Sequence, residues 1–298
     1  MAIFFQVVLP VILVFVAGYV LQKSLHLEIK SLSTVTLYLM LPCLVFKTFY
    51  EADFNRDYYM MILFSLTLLI SILILNKIGA RLFRYGTPTE SGLILSTAFM
   101  NAGNYGTPIV LFAFGEQGFV YAVTFMVLQQ IVMNFFGVYY AAKGTAGFSM
   151  AVRTILKMPP THAVWIALLF KAAEVNIPDN LYASLELVGN ATVPSIMILL
   201  GMQLANITIK NLDWSKISFA ASIRLVASPL IAWGLTTVLP MNDLMASVLI
   251  VAAAMPSAAT TTMYAVQFDA KPDLVSSITL VTTILSVVTL PVLLNLLT

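Results

Sequence analysis

The chain has 298 residues, 60% of them hydrophobic and 9% charged, with a mean hydropathy of +0.95. A soluble domain of this length carries about a quarter charged residues, so the composition excludes a soluble protein and indicates a helical membrane protein. The net charge of +2 says little about partners, because in a membrane protein the placement of charge matters more than its sum, and no nucleic-acid partner is expected. The single cysteine (Cys43) excludes an intrachain disulfide, and two histidines add too few ligands for a zinc site.

Apolar runs near the ~20-residue length that spans a bilayer begin at 3–22, which has no basic leader or cleavage signal and reads as a retained span. The second run, 32–50, holds Pro42 in "LYLMLPCLVF", and the third is 58–76. The fourth, 90–114, is interrupted by "NAGNYGTPIV", Asn101 to Val110, where asparagines, glycines and a proline replace apolar residues. The fifth, 118–141, carries the amides Gln129, Gln130 and Asn134. After "KGTAGFSMAVRTILKMPP" come the short sixth run, 160–176, and the seventh, 183–205, with Asn190 and Pro194 in "GNATVPSIMILLG". The eighth, 216–239, encloses Arg224; the ninth, 244–268, breaks at "MPSAATTT"; the tenth is 273–297.

Lys and Arg set the orientation of these ten segments. With the N-terminus outside, the inside loops hold Lys23, Lys30, Lys77, Arg81, Arg84, Lys143, Arg153, Lys157, Lys210, Lys216 and Lys271. Lys47, Arg56 and Lys171 fall outside. The bias places both termini outside the cytoplasmic membrane.

The linker divides the chain into a first five-segment unit (1–142), a cytoplasmic connection (143–159) and a second unit (160–298) that re-enters the membrane inverted. Pro42 and Pro194 fall in corresponding second segments, and the fourth segment of each half is the one that breaks. Paired interrupted helices at matching positions of inverted halves point to a transporter binding site. If both break at mid-depth and cross, two half-helix N-termini converge, each with roughly half a positive charge. Asn101, Asn104 and Thr260 to Thr262 add neutral donors. Such a site suits a small anion, most simply a carboxylate.

These residues resemble the auxin efflux carrier family, which includes plant PIN carriers and many bacterial relatives. The resemblance rests on "NAGNYGTPIVLFAFGEQG", "MVLQQIV", "KMPPTHAV" and "AAAMPSAATTTMYAVQFDAKPDLVSS" and extends along the whole chain. It implies an all-α membrane fold of ten transmembrane helices. Two inverted five-helix repeats cross at broken helices 4 and 9, as in NhaA-like and bile-acid-symporter-like carriers. It also implies an elevator mechanism, with segments 1, 2, 6 and 7 as scaffold and homodimer contact and 3–5 and 8–10 as the moving domain. Asn101 would meet the substrate carboxylate, Pro108 and Pro256 would mark the crossovers, and Gln129 would face the site. Bacterial members are associated with small organic acids, and the long central loop of the plant carriers is absent here.

The expected substrate-binding set is Asn101, Asn104, Tyr105, Gly106, Gln129, Asn190, Ser257, Ala258, Thr260 and Thr261. Gln129 has interhelical hydrogen bonding as its competing role, and Asn134 reads as structural glue. Arg224 lies about 12 Å deep at ~1.5 Å rise per residue, and Glu90 is its expected partner in a structural or gating ion pair. The acids Glu90, Glu116, Glu186 and Asp243 fall at span ends and give no proton relay; whether sodium or a proton couples transport stays open. An anion channel on the same helices is the alternative, although polar residues cluster at one depth rather than line a pore. No nucleophile–base or metal motif supports an enzyme, and no cofactor is expected.

Overall fold

The computed structural model describes residues 3–52, 56–142, 156–207 and 212–297. Every named element among them is helical. We number them α1 (Phe4–Leu25), α2 (Ile29–Glu51), α3 (Arg56–Leu82), α4 (Thr87–Ala98), α5 (Ala102–Ala141), α6 (Pro159–Ala172), α7 (Asp179–Ala205), α8 (Trp214–Val238), α9 (Asp243–Ala253), α10 (Thr260–Gln267) and α11 (Pro272–Leu297). Seven stretches, in α1, α2, α3, α5, α7, α8 and α11, are long and apolar enough to cross a bilayer, and α9 is a shorter apolar helix. Most of the expected linker, with Lys143 and Arg153, lies outside the described residues, as does Lys210.

α5 runs 40 residues, about twice a span. Its continuity is nominal, because Gly115 sits at φ 65°, ψ −165° and kinks the chain between two helical limbs. That conformation is open to glycine and almost nothing else. A Cβ there would meet nothing within 4 Å, so backbone freedom rather than space requires the glycine.

Prolines shape the helices more subtly. Pro10, Pro42, Pro108 and Pro229 each follow by two residues a π-helical turn, at Phe4–Val8, Thr36–Met40, Ala102–Gly106 and Ile223–Ala227. Proline has no N–H for the preceding turn, and its ring crowds that turn's carbonyl. Widening the turn relieves the clash without breaking the rod. Polar caps start two helices: Asn242 Oδ1 accepts from Met245 N at 2.8 Å in α9, and Asp213 Oδ1 accepts from Lys216 N at 3.2 Å in α8.

Two groups of helices are held differently. In the first, α1 and α7 touch backbone to backbone: a Cβ on Gly18 would lie 2.2 Å from Ile198 O, and one on Gly201 would lie 2.0 Å from Phe15 O. Small residues permit this approach, and dispersion holds it where lipid supplies no hydrophobic drive. Gly189 of α7 meets the α2 backbone at Leu44, and Lys47 pairs with Glu186 at the same end. In the second group, α4 and α9 form the centre. Ser91 to Ala98 and Val248 to Ala253 are buried without interruption, the second an apolar helix and the first with its buried Ser91, Ser96 and Thr97 hydroxyls. Around them stand α3, α5, α8, α10 and α11. The two groups meet through apolar side chains such as Phe15 and Tyr105, whose rings lie edge to face at 5.0 Å.

Candidate functional site

Both expected interruptions exist, and they face each other. α4 ends at Ala98 and the chain resumes as helix at Ala102; α9 ends at Ala253 and resumes at Thr260. Between them Met100 and Ser257 form an isolated antiparallel bridge. Asn101 N donates to Pro256 O at 2.8 Å, and Ala258 N donates to Phe99 O at 3.0 Å. Each break therefore satisfies part of the other's freed backbone, which lipid could not do.

Four helix ends meet at this bridge. The C-termini of α4 and α9 bring carbonyls and negative partial charge; the N-termini of α5 and α10 bring free N–H groups and positive partial charge. The negative ends are occupied. Arg224 is fully buried, and its guanidinium donates to Thr97 O, Ala253 O and Ser228 Oγ. Ser228 Oγ donates in turn to Ala253 O at 2.8 Å. The expected ion pair with Glu90 does not form. Helix C-termini supply the counter-charge instead, and Glu90 lines a separate cavity at the start of α4.

A polar frame supports the same side. Asn76 Nδ2 donates to Thr97 Oγ1 at 2.7 Å and to Ile72 O at 2.8 Å. Ser257 Oγ donates to Ser96 O, and Thr282 Oγ1 lies 3.3 Å from both Ser257 N and Ser257 Oγ. Asn76, Ser228, Thr282 and Ser286 were missing from the expected set. The α11 residues carried a signal in the sequence: Thr279, Thr282 and Ser286 recur at three- and four-residue spacing, so they share one helix face.

The positive ends are left differently. Asn101 is 5% exposed, and its side-chain Nδ2 has no hydrogen-bond partner. Its carbonyl accepts from Gly106 N at 2.9 Å, closing the π turn that opens α5. Arg224 is the one charged side chain buried among the described residues, so no carboxylate there compensates the two N-termini. Gly106 belongs to the crossing; a Cβ added there would lie 3.3 Å from Met255 Cγ and 3.4 Å from Asn101 O.

The remaining expected residues divide. Tyr105 is buried, with its hydroxyl 3.2 Å from Ser286 Oγ. Ala258 and Pro256 sit in the bridge itself, Thr261 Oγ1 donates to Ala258 O at 2.7 Å, and Thr260 opens α10 half-buried. Pro108 begins the regular part of α5, and Asn104 is half-exposed on its first turn. Ser257 and Thr261 are spent on the frame, whereas the Asn101 amide is free. Gln129 donates to Ser65 Oγ of α3 at 2.8 Å, which ties α5 to its neighbour. Asn134 accepts from Tyr264 OH, the bracing role expected of it. Asn190 stands exposed on α7, with no hydrogen bond to the crossing. No group of three or more His, Cys, Asp or Glu among the described residues could hold a metal.

Comparison with known proteins agrees with a transport role. The profile of a family described as "Membrane transport protein" matches residues 3–150 and 145–294. An uncharacterized transporter of Methanothermobacter thermautotrophicus is 27% identical over 292 residues, covering 96% of each chain. Another, from Methanocaldococcus jannaschii, is 27% identical over 296 residues, covering 94% of each.

Proposed function

The chain belongs to the membrane transport protein family, which holds the auxin efflux carriers, and from that premise we propose that it carries a small organic anion, a mono- or dicarboxylate, across the cytoplasmic membrane as a secondary transporter. The family consists of membrane transporters rather than enzymes, and the chain is a multi-pass membrane protein.

The carrying observation is the unpaired Asn101 amide at an acid-free meeting of two helix N-termini. A buried donor without a partner costs about 1–3 kcal/mol, and an anion seated there would relieve that cost. Arg224 makes the arrangement selective. By holding the two C-terminal ends it removes their repulsion and leaves the N-terminal ends dominant. The carbonyls that could otherwise coordinate a sodium ion at half-helix C-termini already have a guanidinium.

The mechanism we propose is an elevator within ten segments, read as two inverted repeats of five, with both termini outside. α4 with the first limb of α5 is the fourth segment; the second limb is the fifth; α9 and α10 make the ninth. Interhelical hydrogen bonds join α3, α4, α5, α8, α9, α10 and α11, through Asn76, Gln129, Arg224, Ser257, Tyr264 and Ser286. These would move as one body against α1, α2, α6 and α7. A lubricating apolar seam between polar-braced bodies supports sliding over local unfolding. The exposed apolar residues Trp165, Leu169 and Leu187 of α6 and α7 suit lipid or a second copy on the scaffold.

The test is uptake of labelled mono- and dicarboxylates into proteoliposomes, with sodium and pH varied separately. The reading requires one such anion to accumulate, and Asn101→Ala to abolish its uptake while the thermal midpoint stays within a few degrees. Undiminished uptake by the variant would remove Asn101 from the site.

A further inference from the structure

A cavity of about 420 Å³ opens where α3 ends and α4 begins, lined by Lys77, Ala80, Arg81, Arg84, Tyr85 and Glu90. Three cations share it with one carboxylate. Among the described residues, neither of the ion pairs present involves any of the three. Glu90 lies eight residues before α4 ends, so the cavity stands roughly 12 Å along the helix from the crossing.

Local structure concentrates the charge. Lys77 and Arg81 lie four residues apart on one face of α3, and Arg84 follows just beyond the helix end. Arg84 lies in the turn that ends α3, with φ 53°. The turn closes through Phe83 N to Gly79 O at 2.9 Å and Tyr85 N to Ala80 O at 2.8 Å. This left-handed position is usually glycine, and a side chain there costs roughly 1–2 kcal/mol. Cations suit a helix C-terminus, and left-handed side chains recur at His26, Glu174 and Asp269, but neither accounts for a cavity between the three.

The adjoining surface is apolar. Ile74, Ile78 and Leu82 repeat every four residues on α3 and are 51%, 57% and 73% exposed. A dissolved anion would need the cations alone; a lipid needs cations at the end of an apolar wall. Basic pockets on the cytoplasmic side of membrane helices bind anionic headgroups on this principle.

We propose that this cavity binds the phosphate headgroup of an anionic phospholipid, with acyl chains along Ile74, Ile78 and Leu82. Three cations less one carboxylate leave two positive charges for the phosphate. Glu90 opposes binding and keeps it reversible. The side of the membrane follows from the orientation that the Lys and Arg distribution sets; the anion site at the crossing is a separate matter.

The experiment uses the full chain purified in a neutral detergent and titrated with short-chain phosphatidylglycerol, phosphatidylcholine or glycerol phosphate. Bound lipid is counted by native mass spectrometry, and the thermal midpoint is recorded. Phosphatidylglycerol should bind and raise the midpoint, with the other two far weaker. The combined Lys77→Gln, Arg81→Gln, Arg84→Gln variant should lose roughly a hundredfold in affinity, and Arg81→Gln alone about fivefold. Glu90→Gln should bind several-fold more tightly, a gain that mere loss of folding cannot produce. Equal binding of phosphatidylcholine, wild-type affinity in the combined variant, or equal response to glycerol phosphate would each overturn the proposal. The last outcome would assign the cavity to a free phosphate. The single variant and Glu90→Gln decide the matter if the combined variant does not fold.

Discussion

Replacing Arg224 tests the crossing most directly, and Arg224→Met keeps its bulk while removing charge and donors. Thr97 O then has no donor, because the Asn101 N–H that a continuous helix would send to it is committed to Pro256 O. That orphan costs about 1–3 kcal/mol. Ala253 O keeps Ser228 Oγ at 2.8 Å and suffers less. Two helix C-termini also lose their cation, a term of up to about 2 kcal/mol each in buried geometry. Against this, the protein no longer desolvates a guanidinium, a relief of several kcal/mol. The balance should be a net loss of about 2–3 kcal/mol, read as a thermal midpoint lower by several degrees in detergent. Arg224→Lys keeps the charge but not the fork that reaches both carbonyls, and should fall between the two. If the proposed function holds, the Met variant should also bind the anion at least tenfold more weakly, because two negative half-charges are uncovered beside it. If Arg224→Met melts and binds like the parent, the compensating role assigned to the guanidinium is wrong.

Other perturbations act at a distance from the crossing. Gly115→Ala should lower the midpoint by the equivalent of about 1–3 kcal/mol, although the new methyl has room, because φ 65° with ψ −165° excludes side chains. Gly201→Val drives a branched side chain into Phe15 O and should cost more, measured as loss of monodisperse protein in size-exclusion chromatography. Asp213→Ala removes the α8 cap and should cost about 1 kcal/mol near neutral pH. The Lys216 side chain holds the Asp213 carboxyl below its ordinary value. Its contribution is therefore full above about pH 4 and fades as the pH falls through the lowered value, so the parent and variant melting curves should converge in acid.

The two interruptions were readable because polar and helix-breaking residues cluster inside two apolar runs, where a single Gly or Pro kink would be ordinary packing. The sequence placed them at Asn101 to Pro108 and Met255 to Thr262, and the helix ends fall at Ala98 and Ala253 with resumption at Ala102 and Thr260. Gly115 was less conspicuous; a glycine in "FAFGEQG" looks like ordinary packing until its φ is known. Arg224 stood out as a buried charge, yet its partners did not, because a buried cation is most often paired with an acid. The groups that hold it are peptide carbonyls, and every residue type carries those. Ser257 and Thr261 shared the composition of Asn101's surroundings, but only coordinates separate hydroxyls already engaged from an amide that is free. The α1–α7 contact was invisible for a similar reason. Gly18 and Gly201 each look unremarkable, and their meaning lies in a partner about 180 residues away.

The bridge between Met100 and Ser257 has a mechanical corollary. Two peptide groups rivet one ruptured rod to the other, so neither can unwind further or retract without tearing a bond from its mate. Any displacement of one rod therefore pulls on the other through the same pair of bonds.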